Sequence, residues 1–204
     1  MKVSFAATPE QADAVAVLAF EKAELSGPAD EIDRAASGAI RKAIKASRFS
    51  GSAGELIELL APAGVEADRV IVLGAGHADG LDAAGLEKLG ASCVRALLTS
   101  GSRSLSLRLD EIGVDPAAAA RAGFGAQLAA YRFDAYRTKL TEKKKPSLKT
   151  LSVVTSDPKA AKAAWKDCEA LADGVAFAQP GGGGQGRHED GRRQEGSGEV
   201  AHVR

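Results

Sequence analysis

The sequence predicts an α/β fold, a mixed central sheet with helices on its faces. Three observations lead there. Short β-rich apolar runs alternate with long alanine-rich amphipathic ones, two of the long runs open with an Asp-Pro start signal, and 45% hydrophobic content over 204 residues suffices for one core.

The predicted elements follow in chain order. "KVSFA" at 2–6 and "AVAVLAF" at 14–20 read as strands, rich in Val, Phe and Leu. A helix over 29–46 comes next, because Ile32, Ala36, Ile40 and Ile44 recur every four residues and form one core-facing stripe. "ELIELLA" at 55–61 reads as a strand, with a helical turn as the alternative, and "RVIVLG" at 69–74 reads as a buried strand. A helix over 83–99 leads to the strand "SLSLRL" at 104–109. Asp115 and Asp157 stand before Pro116 and Pro158, so each aspartate can cap free amides while proline takes the first helical position; the helices are predicted at 116–132 and 158–176, with the strand "TLSVVTS" at 150–156 between them. Adjacent predicted strands near the beginning and in the middle imply a sheet that is mixed rather than wholly parallel.

Composition changes abruptly at the end. From Pro180 to Arg204 there are eight glycines, four arginines and four acidic residues against three hydrophobics. That stretch cannot bury enough apolar area to offset its ordering entropy, so the expectation is a folded unit over 1–178 and a disordered Gly/Arg-rich tail over 179–204.

The balance of charge narrows the function classes. Twenty-seven basic residues cancel 27 acidic ones, which argues against nucleic acid and anionic membrane as partners. Cys93 and Cys168 have no metal-site spacing and read as reduced thiols. The start lacks the continuous apolar centre of a signal peptide, and no run reaches the roughly 18 apolar residues of a membrane span, so a cytoplasmic protein is expected.

Four stretches could carry chemistry, and each has a plainer reading. In "VIVLGAGHADG", 70–80, Gly74 and Gly76 follow a strand, but Asp79 stands where a dinucleotide fingerprint needs its third glycine; a tight turn after a buried strand is expected, with His77 exposed. The basic run from Arg137 to Lys149 is interrupted by Glu142, and Pro146 marks an exposed connection into the last strand, so a solvated loop is expected. A His-based catalytic triad would rest on His77 alone, since His188 and His202 lie in the tail, and no nucleophile motif surrounds it. Trp165 and Cys168 read as packing residues. Finally, Gly181 to Gly184 with His188, Glu189 and Asp190 looks like a phosphate loop joined to a metal site, but it lacks the GK[ST] ending and any supporting scaffold. No catalytic, cofactor-binding or metal-binding residue is therefore assigned.

Several segments together carry a family resemblance: "KASRFSGSAGELIELLAPAGVEADRVIVLGAG" (45–76), "LEKLGASCVRAL" (86–97), "GAQLAAYRFDAYRTK" (125–139) and "KKPSLKTLSVVTSD" (144–157). They resemble, in order, the amino-terminal domain of the leucyl aminopeptidase (peptidase M17, cytosol aminopeptidase) family. "YRFDAYRTK", with Tyr131, Phe133, Tyr136 and Lys139, is the most specific piece. The resemblance implies a macro-domain-like fold, and in the family a second domain that hydrolyses peptides with two divalent metals, zinc or manganese, as well as hexameric assembly with other aminopeptidase subunits. The family's metal-ligand phrase, like NTDAEGR, is absent from this sequence, and the pattern stops after "ADGVAFA" at 172–178. None of the family's ligands or catalytic residues can be carried onto a position here.

The expectation is a non-catalytic amino-terminal domain, from a truncated gene product or a reading frame lost after codon 178; downstream DNA with no RDLVNEP-like or NTDAEGR-like segment in either other frame would remove the frameshift account. Two alternatives remain open: a nucleotide or other small-molecule module using the Gly74 to Gly80 loop, and an assembly partner of full-length aminopeptidase.

Overall fold

The computed structural model describes residues 1–78, 81–131 and 145–178. Seven strands form one mixed sheet: β1 (Lys2–Ala6), β2 (Ala14–Phe20), β3 (Glu24–Leu25), β4 (Leu56–Leu60), β5 (Arg69–Gly74), β6 (Ser104–Arg108) and β7 (Thr150–Val154). The order across the sheet is β1-β7-β6-β2-β5-β4, with β3 paired antiparallel to the last residues of β2. From β1 to β5 all neighbours run parallel, and β4 runs antiparallel to β5.

The α/β prediction holds, with differences that have physical causes. Adjacent strands in the middle of the sequence do pair antiparallel, as expected for β4 and β5. The pair at the beginning does not: β7 and β6 lie between β1 and β2. Residues 7–13 therefore carry the chain sideways by about 14 Å, three strand spacings, and back to the start of a parallel strand. Crossovers of this kind usually need a dozen residues or more and a helix; this one is a bare strap. Its far end is fastened by Asp13, whose Oδ2 accepts from the backbone N–H of Arg103 at 2.6 Å and of Ser104 at 3.2 Å. Those amides, Arg103's first, hold the Asp13 carboxyl below its ordinary pKa.

The two sides of each central strand serve different cores. Ala14, Ala16 and Leu18 face one side and Val17 and Ala19 the other, the alternation that a strand buried on both faces requires. On the first face α3 (Ala83–Leu97), α4 (Ala119–Ala130) and α5 (Pro158–Ala178) cover the sheet. On the second, α1 (Gly27–Ala35) and α2 (Ala39–Ala46) pack over β2 and β5.

The helix predicted over 29–46 is two helices. Ser37 and Gly38 adopt left-handed backbone, φ 53° and 80°, which glycine tolerates and which ends α1. The break is locked by Asp33, 2% exposed, whose carboxylate accepts from the Arg41 backbone N–H at 3.0 Å and its Nη1 at 2.6 Å, while Arg41 Nη2 reaches Asp30 at 2.6 Å. The isoleucine stripe survives the break: Ile32 and Ile40 are buried and Ile44 is partly buried in the same cluster.

Of the two Asp-Pro starts, the second opens its helix as predicted and the first makes only a turn. Asp157 Oδ1 accepts from the N–H of Lys159 and Ala160, opening α5, and Asp115 accepts from Ala117, although regular helix begins only at Ala119. Trp165 and Cys168 are buried with Phe124, and Trp165 lies 5.9 Å from Phe5, so they are packing residues. The tail over 179–204 lies outside the described residues.

Candidate functional site

In open α/β sheets, ligands settle where adjacent parallel strands send their following connections to opposite faces. One such place is the carboxyl end of β2 and β5: the chain leaves β2 toward α1 on the second face and leaves β5 toward α3 on the first. Gly74, Gly76 and His77 sit at this crevice, so it is where any chemistry of the glycine loop would occur.

The crevice is filled by the chain itself. Residues 50–55, "SGSAGE", lie across the ends of both strands. Gly76 N–H donates to Gly51 O at 2.9 Å, Ala23 N–H donates to Ser50 O at 2.9 Å, and Gly74 N–H donates to Glu55 O at 2.9 Å. The approach is so close that a Cβ at Gly51 would stand 1.7 Å from Phe20 O, and one at Gly74 would stand 2.1 Å from Ser52 O. The tight-turn reading of these glycines therefore holds, for a reason of space: Gly74 is backbone packed on backbone.

Consecutive N–H groups at a turn are what a phosphate oxyanion binds. Such a set exists here and is already occupied. Glu55 Oε2 accepts from the N–H of Ser50 at 2.7 Å, Gly51 at 2.9 Å and Ser52 at 3.2 Å. These bonds, that from Ser50 above all, hold the Glu55 carboxyl below its ordinary pKa. An incoming phosphate would have to displace a fixed carboxylate and bear its repulsion. Part of the crevice stays open as a cavity of about 170 Å³ lined by Glu55, Leu73, Gly74, Ala75, Lys88 and Ser92.

His77 is 78% exposed and its Nε2 meets Glu21 at 2.9 Å. Neither partner is the serine, cysteine or threonine that a triad needs, and burial pushes the Cys93 thiol up to about 12, far from any useful thiolate. Asp79 and Gly80, which close the glycine loop, lie outside the described residues, as do Arg137 to Lys144 of the basic run. Lys149, from the end of that run, donates its backbone N–H to Arg103 O at 2.8 Å and is exposed. The cluster of Gly181 to Gly184 with His188, Glu189 and Asp190 also lies outside, together with His202. Among the described residues no group of three or more His, Cys, Asp or Glu is placed to hold a metal ion, so they do not fit a two-metal centre.

Sequence reasoning missed the buried Arg108. Its side chain, 8% exposed at the end of β6, is gripped by Asp110 through two bonds of 2.7 Å and reaches Glu31 of α1 at 3.1 Å. Asp110 chiefly, then Glu31, raises the guanidinium above its ordinary pKa. The group forms one wall of a cavity of about 340 Å³ between the strap and α1. An arginine inside the strand-like "SLSLRL" was the available signal, since a charge there needs buried partners.

Comparison with known proteins decides the family. The model of the cytosol aminopeptidase family, N-terminal domain, matches residues 16–140. The chain belongs to that family. Probable cytosol aminopeptidases of Caulobacter vibrioides and Methylorubrum populi are 40% identical over 182 residues and 37% identical over 168. These alignments take in 88% and 81% of this chain but only 36% and 33% of the relatives, so the chain spans about a third of their length. Among solved structures, a tomato leucine aminopeptidase mutant superposes with a TM-score of 0.73 at 18% identity, over 87% of this chain and 37% of that one, which shows a shared fold. The bottromycin maturation enzyme BotP reaches 0.56 at 28% identity, over 79% and 31%. The cytosol aminopeptidase N-terminal domain thus accounts for the sheet and its helices. "YRFDAYRTK", the most specific stretch of the resemblance, begins at Tyr131 and otherwise lies outside the described residues.

Proposed function

We propose that residues 1–178 serve as the non-catalytic amino-terminal domain of a leucyl aminopeptidase. The observation that carries this reading is coverage: the family match is to the N-terminal domain, and the aligned part makes up only 36% of the Caulobacter relative. The occupied amides support it, because the consecutive N–H groups at the β2–β5 crevice, which could hold an anion, already hold Glu55. The same observation weighs against a nucleotide-binding module.

In this reading the peptide chemistry and its zinc or manganese belong to a catalytic domain, and the present fold contributes to assembly with aminopeptidase subunits in the cytoplasm. The relatives' name, cytosol aminopeptidase, and the lack among the described residues of any helix long and apolar enough to cross a membrane agree with that location. Calorimetric titration of the purified 204-residue chain with manganese and with zinc tests it. The expected result is no saturable uptake of two ions; stoichiometric binding of two ions per chain would overturn the reading.

A further inference from the structure

β4 forms one edge of the sheet. β5 occupies one side of β4, and the strand order ends there, so no described strand meets its outer edge. Such an edge offers a row of backbone donors and acceptors, and monomeric proteins blunt it with lysine, proline, a bulge or a covering element. The opposite edge is treated in that way: β1 exposes Lys2 and Ser4, and α5 packs against it. β4 has no lysine, proline or bulge; α2 packs on the face that carries Ile57 and Leu59, and Glu58 is its one charge. Its sequence is Leu-Ile-Glu-Leu-Leu, and it carries two of the three large hydrophobic side chains exposed among the described residues, Leu56 at 38% and Leu60 at 64%.

The pattern of the strand selects the partner. About Glu58 it reads alike in both directions, Leu56 balancing Leu60 and Ile57 balancing Leu59. We propose that two copies associate through antiparallel pairing of their β4 strands, with a two-fold axis at Glu58. Leu56 then stands opposite Leu60 of the second copy and Ile57 opposite its Leu59, so every cross-strand pair but the central one is aliphatic. At the centre two Glu58 residues meet, but each is already paired with Arg69 of its own chain, which supplies the counter-charge. The contact is isologous and closes at two copies. A pair of five-residue strands buries well under the roughly 1,200 Å² of a stable interface, so the dimer is weak and depends on concentration.

Sedimentation of the full chain over a wide concentration series, with oxidative cross-linking as a second measurement, tests the proposal. The weight-average mass is expected to rise from monomer toward dimer. Leu60→Lys, at an exposed site that leaves the core untouched, returns it to monomer, while Leu171→Lys, at an equally apolar but distant site on α5 that is 52% exposed, leaves the rise unchanged. Glu58→Cys, on the axis, cross-links to itself, whereas Leu56→Cys and Leu60→Cys cross-link only when mixed, because disulfides need facing Cβ atoms about 4 Å apart. Cys93 and Cys168 are buried and do not interfere. A monomer at every concentration, a dimer that survives Leu60→Lys, loss of the dimer in Leu171→Lys, or self-linking of Leu56→Cys would each overturn the proposal. None of these outcomes bears on whether the chain is catalytic.

Discussion

Replacing Gly125 with alanine tests the tightest junction in the fold. α3 and α4 meet through two glycines, each set against the backbone of the other helix: a Cβ at Gly125 would lie 2.0 Å from Glu87 O, and one at Gly90 would lie 1.9 Å from Ala122 O. Ordinary contact begins near 3.4 Å, so a methyl at 125 forces the helices apart by about 1.4 Å. The obstacle is backbone, which cannot rotate away as a side chain can. Overpacking of this kind costs about 3 kcal/mol at the upper end of the usual range. Alanine returns about 1 kcal/mol through its better helix propensity, leaving a net loss of about 2 kcal/mol. Gly174→Ala in α5 is the matched control, because a Cβ there meets nothing within 4 Å among the described residues and only the propensity gain of up to about 1 kcal/mol remains. Urea unfolding followed by circular dichroism should move the midpoint down for Gly125→Ala and up for Gly174→Ala, with an unchanged slope. Equal midpoints for the two variants, or a Gly125→Ala protein as stable as the parent, would refute the backbone-contact account.

Two further predictions concern titrating groups. Both cysteines are buried and the Cys93 thiol is pushed up to about 12, so a thiol reagent at mildly alkaline pH should label neither in the folded chain and both after denaturation; prompt labelling of Cys93 would contradict its burial. Asp13 has a folded pKa below its ordinary value of 3.8, so its contribution to stability is complete above that value and is lost as pH falls through it toward the folded one. Asp13→Asn should therefore be less stable than the parent at neutral pH and lose less on acidification, as measured by urea midpoints at several pH values; parallel pH profiles would disprove the role of the strap anchor.

Much of this fold is written locally. β1, β2, β4 and β5 match their predicted spans within a residue at each end, because each is a β-rich apolar run bounded by turn residues, and Asp157 caps α5 as its position before proline requires, whereas Asp115 closes only a turn and α4 starts three residues later than predicted. The periodicity of Ile32, Ala36, Ile40 and Ile44 located a core face correctly, yet it does not register the helix break, which depends on a buried Asp33 meeting Arg41 eight residues later. The placing of β1 at the far edge is likewise absent from local sequence. Seven strap residues look like a hairpin loop until β6 and β7, about 90 to 150 positions away, insert between the strands. β3 is two residues long and exists only by pairing with the end of β2. At the crevice, Gly74 and Gly76 were legible as turn residues, while the occupation of the neighbouring amides was not, because the Glu55 side chain that fills them comes from the loop before β4.

The relatives are named for aminopeptidase activity, and this chain spans about a third of their length. The decisive measurement is hydrolysis of leucine-p-nitroanilide by the purified chain, with manganese and with zinc, over a series of protein concentrations. The account predicts no turnover above the metal-only background at any concentration. A metal-dependent rate that rises in proportion to the chain would contradict it.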